Sequence, residues 1–269
     1  MQHPLTRASE SKVNCILQAL GRPQTIWQRS RLVVTVLEWT AGLLLIGLAL
    51  DKWFAIPPLV VQWLFWLVWL WWLDDRFPSH READLSLYGA FAFRRGFYRD
   101  VLVGVTCCFA QMLRPAFYGA VDGAFLRPVS LSAQAGLALI VLGFIMIGFA
   151  IEVLGIDGAI FLQEYSRTPH LTRRGIYGCL RHPLFVGGII ASIGAAIVVG
   201  GTVPICLGLS NLAILPFYMR FEDRRCAKVF GRMYGHYTRD VPAFVPRWRE
   251  LIKVATVGTA ELRSKAAVY

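Results

Sequence analysis

Six runs of apolar residues, at 32–50, 57–73, 97–113, 131–151, 184–199 and 203–219, leave this 269-residue chain little choice but to form membrane-embedded helices. A helix needs about 17 to 25 such residues to cross the hydrocarbon, where no water is present to pair an open backbone amide. The runs at 32–50, 57–73 and 131–151 meet that length, whereas the run at 97–113 carries Arg99 and Asp100 in its first turn. The last two runs are separated only by Gly200, Gly201 and Thr202, which predicts a tight helical hairpin. Pro204 then falls in the first turn of the returning helix, where its missing N–H has no partner to lose. Composition agrees: 56% of the residues are hydrophobic, 17% are charged and the mean hydropathy is +0.50, against about 25% charged in a soluble domain.

The charge pattern orients these helices. The formal net charge is +11, and of 28 Lys and Arg, 25 fall in one alternate set of connecting segments and 3 in the other. A nucleic-acid surface would gather its cations on one soluble face. Division by loop instead follows the positive-inside rule, with the basic rim facing anionic lipid headgroups. The expected architecture is an all-α polytopic membrane protein of about six transmembrane helices with a C-terminal helical hairpin, both termini cytoplasmic. It divides into an N-terminal cytoplasmic arm (1–31), a four-helix membrane region (32–151), a polar-motif region holding the hairpin (152–247) and a C-terminal tail (248–269) that reads as a short surface helix or a frayed end. The first 30 residues have no long apolar core or small-residue cleavage site, so no cleaved signal peptide is expected. The six cysteines form no CxxC pair and share no spacing with histidine, so no metal site is expected. Glu38, an acid inside the first apolar run, is expected to face another helix.

The polar residues at the helix ends carry the chemistry. Arg181, His182 and Pro183 stand directly before the fifth run, which places His182 near an N-cap, where free N–H groups and the positive end of the helix dipole suit an anion. Arg220, Glu222, Asp223, Arg224 and Arg225 follow the sixth run, and the hairpin returns them to the same face. A carboxylate there accepts hydroxyl or amino hydrogens, and Arg220 suits an anion. Plain membrane-edge charges and a solvated ion-pair ladder are the alternatives. Of the glycines, Gly194, Gly200 and Gly201 read as packing or turn positions, and Gly187 and Gly188, one turn from His182, as places for backbone approach to a ligand. The segment with Gly155, Asp157, Gly158, Gln163 and Glu164 reads as a lid or one wall of a pocket. Tyr234 and Tyr237 either cover a site or, the preferred reading, dock the tail on the membrane.

In order and spacing, Leu171, Thr172, Gly175, Tyr177, Arg181, His182, Pro183, Phe185, Gly187, Glu222, Asp223, Phe230, Gly231, Tyr234, Tyr237 and Pro246 resemble the isoprenylcysteine carboxyl methyltransferase family and its phospholipid methyltransferase relatives. The resemblance implies an integral membrane S-adenosylmethionine-dependent methyltransferase without a soluble Rossmann domain, 152–247 being its cofactor region. Carried over, His170, Leu171, Thr172, Tyr177, His182, Pro183, Leu184 and Phe185 line the cofactor site, Glu222 completes it from the last helix, and Gln163 joins from the preceding wall. Arg181 and Arg220 take the catalytic roles, Arg220 facing the acceptor although it stands closer to the acids than its counterpart in some relatives. Asp223 replaces the usual second glutamate, and Thr172 and Arg173 depart from the common valine and threonine. The implied acceptor is lipidic or small and apolar, presenting a carboxylate, amine or thiol from the bilayer. A noncatalytic membrane scaffold, assembly factor or small transporter is the alternative. The implied location is a bacterial inner membrane or, alternatively, the endoplasmic reticulum, with the site facing the cytoplasm.

Overall fold

The computed structural model describes residue 14 and residues 16–54, 56–121, 130–166 and 169–247. The tail at 248–269 and most of the arm before residue 16 lie outside the described residues. Regular structure among those described is entirely helical: α1 (Ile26–Trp53), α2 (Pro58–Trp71), α3 (Phe77–Tyr88), α4 (Leu102–Val121), α5 (Leu131–Leu154), α6 (Pro183–Val199), α7 (Thr202–Phe230) and α8 (Arg232–Asp240), with shorter helical turns in some of the segments between them. Hydroxyls cap two of these helices, Thr25 accepting from the Gln28 N–H and Ser130 from the Ala133 N–H, which satisfies donors that the first turn leaves open.

Among the described residues, four helical stretches are long and apolar enough to cross a membrane: Ile26–Trp53, Pro58–Gly119, Leu131–Leu154 and Thr202–Phe230. α6 is a shorter apolar helix of 17 residues. The runs at 57–73 and 97–113 therefore lie in one stretch of 62 residues, which, if straight, would extend about 93 Å, some three times the hydrocarbon thickness. It folds back instead, since α2 packs on α4. Gly89, at φ +53°, lies between them and adopts a backbone conformation that L side chains resist. The charges that weakened the run at 97–113 are absorbed by a polar network: His80 Nδ1 lies 2.8 Å from Asp100 Oδ1, and Arg99 reaches Asp100 at 2.7 Å and Asp84 at 2.8 Å.

Glycine sets the closest helix contact. A Cβ on Gly143 would stand 2.5 Å from the Gly187 carbonyl oxygen, and one on Gly194 would stand 2.5 Å from the Gly136 oxygen, so α5 and α6 meet backbone to backbone at two levels, as small-residue faces permit in lipid. This corrects the expectation for Gly187 and Gly188: the first packs on α5, and a Cβ on the second would meet Met112 Sδ at 2.4 Å. Gly200 and Gly201, at φ +70° and +85°, make the hairpin turn as expected.

Hydrogen-bonded polar groups tie the bundle at depth. Asn211 of α7 accepts from Gln62 Nε2 at 2.5 Å and Trp66 Nε1 at 2.9 Å, and donates to Ser192 Oγ at 2.8 Å and the Gln111 carbonyl at 3.1 Å, linking α2, α4, α6 and α7. A buried ion pair joins α1 to α4: Arg114 Nη2 donates to Asp51 Oδ1 at 2.6 Å, and the Tyr118 hydroxyl also donates to Asp51. The acid of α1 that faces another helix is thus Asp51. Glu38 is exposed, because only a narrow stripe of α1 is packed and Glu38 lies off it.

Candidate functional site

Pro183 opens α6 and leaves His182 as its N-cap residue, at the place where the run's first apolar residues demanded a helix start. The hairpin carries α7 back past it, and α7 continues beyond its apolar part as far as Phe230. The two clusters therefore meet. His182 Nε2 lies 2.9 Å from Asp223 Oδ1, Arg181 Nη1 lies 3.2 Å from Asp223 Oδ2, and the Tyr234 hydroxyl donates to Asp223 Oδ1 at 2.5 Å.

Adjacent positions on a helix point about 100° apart, and Glu222 turns away from that group. Arg225 holds it at both oxygens, Nε donating to Oε2 at 3.0 Å and Nη2 to Oε1 at 2.5 Å, while its other terminal nitrogen binds Glu164 Oε1. Glu164, Glu222 and Arg225 are all buried. The guanidinium is covered by the Phe161 ring, 4.6 Å from its centroid, and by Phe77 at 5.8 Å. Phe161 adopts φ +62°, the one non-glycine positive φ among the described residues, a strained conformation of the kind that clusters at functional sites. Burial pushes the Glu164 carboxyl upward, against the pull of Arg225. Its Oε2 has no hydrogen-bond partner although it is buried.

An aromatic stack lies beside His182. Phe185 stacks on Tyr218 with centroids 3.7 Å apart and on Trp69 at 5.8 Å, and His182 meets Tyr218 edge-on at 5.6 Å. The α8 tyrosines close the side. Tyr237 donates to the Tyr177 carbonyl at 2.7 Å, and Leu171 packs beside Tyr234 and Tyr237. Both tyrosines are buried, so they dock α8 onto the site loop, which corrects the preferred reading that they dock the tail on the membrane. Burial also raises the phenols of Tyr177, Tyr234 and Tyr237 above their ordinary range.

The remaining expected residues distribute as follows. Arg181, His182, Pro183, Phe185, Tyr177 and Glu222 come together at the ends of α6 and α7. Leu184 packs against the small core formed by Ala150, Val153, Ile176 and Tyr177. Gln163 donates to Asp157 Oδ2 at 3.0 Å and to the Leu154 carbonyl at 3.3 Å, bracing the wall. Thr172 is half-buried and His170 is exposed. Arg220 is exposed on α7 and is not drawn to the acids; the cation on Glu222 is Arg225, which stands three residues after it on the same helical face. Sequence reasoning placed Arg225 in a charge run and Glu164 in a wall. The i, i+3 spacing of Glu222 and Arg225 was the available signal. Among the described residues no group of three or more His, Cys, Asp or Glu stands close enough to hold a metal ion.

These features define an integral membrane protein of bundled helices with a buried, hydrogen-bonded acid, histidine and arginine cluster at one end. The phospholipid methyltransferase family matches residues 131–233, the segment that contains the paired helices α5 and α6 and most of the cluster. That part of the chain is similar to this family and to its isoprenylcysteine carboxyl methyltransferase relatives. Protein-S-isoprenylcysteine O-methyltransferase B of Arabidopsis thaliana is 29% identical over 119 residues, covering 41% of this chain and 57% of its own. The corresponding enzyme of Tribolium castaneum is 27% identical over 125 residues, 45% of this chain and 44% of its own. Methanethiol S-methyltransferase 2 of Bradyrhizobium diazoefficiens is 30% identical over 104 residues, 39% of this chain and 38% of its own. The chain thus spans about half the length of these relatives. No solved structure matches it significantly.

Proposed function

We propose that the protein is a membrane methyltransferase that uses S-adenosylmethionine and methylates a lipidic or small apolar acceptor reaching the site from the bilayer. The observation that carries this reading is the meeting of the Arg181–His182–Pro183 triplet with Asp223 across the hairpin, one residue from the buried Glu222–Arg225 pair. The names of the relatives, two acting on isoprenylcysteine and one on methanethiol, support an apolar acceptor. The distribution of Lys and Arg supports a site on the cytoplasmic face, and a bacterial inner membrane is the location we favour.

The residues present fit the methyl donor. Glu164, Glu222 and Arg225 together carry two negative charges and one positive, with one buried carboxylate oxygen unpaired, a setting that suits a cationic group rich in N–H and O–H. Glu222 would accept hydroxyl hydrogens on the lone pairs that Arg225 leaves free. Leu171, Thr172 and Tyr177 would line the adenosine side, with His170 at the rim, Gln163 bracing the wall, and Phe185 on the apolar floor. When bound, the donor supplies an electrophilic methyl group on a sulfonium.

The protein's own part is alignment and exclusion of water. Holding donor and acceptor in line can be worth about 7 to 11 kcal/mol, and the Trp69, Phe185 and Tyr218 stack gives that geometry a rigid, dry floor. A carboxylate acceptor needs no base. For an amine or thiol, Tyr177, Tyr234 and Tyr237 are kept protonated by burial, which leaves His182, oriented by Asp223, to take the proton. Transfer of labelled methyl from S-adenosylmethionine, with purified protein in bilayers and with a prenylated cysteine, a phosphatidylethanolamine or an alkane thiol as acceptor, tests the reading. Label in one acceptor class supports it, and label in none of the three, from protein that is folded, counts against it.

A further inference from the structure

The triad Glu164–Arg225–Glu222 is unbalanced. All three residues are at least nine-tenths buried, so the triad's one net negative charge sits out of water, where an unpaired ion is strongly disfavoured. The surplus is localised. Both Glu222 oxygens and Glu164 Oε1 are bonded to Arg225, and Oε2 of Glu164 is left with no partner. Arg81 donates from its Nε to the Glu164 backbone carbonyl at 2.8 Å, fixing the main chain; its charge acts on the Glu164 carboxyl, but Oε2 still has no hydrogen-bond partner. The side chain cannot easily swing away, because Glu164 lies in the single turn Leu162–Tyr165 that follows the strained Phe161 and the buried Tyr165 packs against Phe77 and Phe93.

A group that completes this arrangement must bring both a positive charge and a hydrogen. A hydroxyl brings only the hydrogen and a sulfonium only the charge; a primary ammonium brings both. We infer that Glu164 is a binding residue for the α-ammonium of the methyl donor's amino-acid end, its Oε2 accepting an ammonium hydrogen while Arg225 holds Oε1 and keeps the carboxylate aimed. This assignment rests on the donor reading above and goes beyond it by fixing which end of the donor lies toward α3 and the Leu162–Tyr165 turn. Glu222 then faces the remainder of the molecule, toward the His182 end of the cluster.

The test is calorimetric binding of three probes to the detergent-purified full chain and to Glu164→Gln: S-adenosylmethionine, S-adenosylhomocysteine and 5′-deoxy-5′-methylthioadenosine, which lacks the amino-acid end. The glutamine keeps an acceptor for Arg225 and removes the charge. The expected result is a loss of tenfold or more in affinity for the first two probes, with the third unchanged and the ligand-free melting temperature within a few degrees of wild type. Unchanged affinity for all three, or an equal fall in all three, would overturn the assignment. Should Glu164→Gln not fold, Glu164→Asp, which keeps the charge but draws the oxygen back by one methylene, must show the same selectivity between the probes. If wild-type protein binds none of them, the donor reading itself fails; if wild type binds and the variant shows no selective loss, only the Glu164 assignment does.

Discussion

His182 Nε2 and Asp223 Oδ1 stand 2.9 Å apart although 41 residues separate them, and that contact locks the entry of α6 to the outer end of α7. Arg181 and Tyr234 converge on the same carboxylate, so Asp223 organises the start of α6, the end of α7 and α8 together. Removing the Tyr234 hydroxyl takes one donor from a charged, partly exposed acceptor. Tyr234→Phe is expected to cost about 1 to 2 kcal/mol of stability and to loosen α8, seen as faster amide exchange there, while α5 and α6 stay protected.

Arg225 is the counter-ion of two buried acids, and its loss sets them against each other. Arg225→Gln is expected to destabilise the protein by about 3 to 5 kcal/mol at neutral pH, with Arg225→Lys intermediate. The pH dependence has a definite sign. Glu164 is already raised by burial despite Arg225, and without that cation it rises further. A carboxyl raised above its unfolded value lends stability below the ordinary carboxyl range and loses it as pH climbs through the folded value. Arg225→Gln should therefore recover part of its deficit as pH falls from 7 toward 5, as measured by thermal unfolding in detergent. A deficit independent of pH would contradict the pairing.

The α5–α6 contact makes two glycines of one helix inequivalent. A methyl at position 143 would meet the Gly187 carbonyl oxygen at 2.5 Å, whereas one at 148 finds nothing within 4 Å. Gly143→Ala is expected to lower stability by about 1 to 3 kcal/mol through overpacking against backbone, and Gly148→Ala to be neutral or to gain up to about 1 kcal/mol from helix propensity. Parallel melting curves of the two variants check this.

The buried Asp51–Arg114 pair predicts a double-mutant rescue. Arg114→Met strands the Asp51 carboxylate among apolar groups and should cost about 3 to 5 kcal/mol, while Arg114→Met with Asp51→Leu should regain most of the loss. Unfolding of both variants in the same detergent decides it, and equal losses in the two would contradict it.

The sequence made the membrane helices, the hairpin and the His182 cap legible because each rests on local rules: run length, two glycines at a turn, proline at a first helical position. The meeting of the RHP triplet with the acids also followed, since a short hairpin permits one return path. Arg225 was harder to see, because a run of charges beyond a membrane helix has the same composition whether its side chains face solvent or a neighbouring turn. Its burial depends on Phe161 and Phe77, which reach it from elements about 60 and about 150 residues earlier. Gly187 illustrates the same limit: a glycine next to a site motif serves close approach, and only tertiary structure says that what approaches is α5.

The central claim is that the end of α7 presents Glu222 to a methyl donor, and calorimetric titration of the purified protein with S-adenosylmethionine, beside Glu222→Gln, tests it most directly. The account predicts micromolar binding by wild type and a loss of at least tenfold in the variant, with the fold retained because Arg225 keeps Glu164 as its partner. Absence of binding by folded wild-type protein, or equal binding by both, would contradict it.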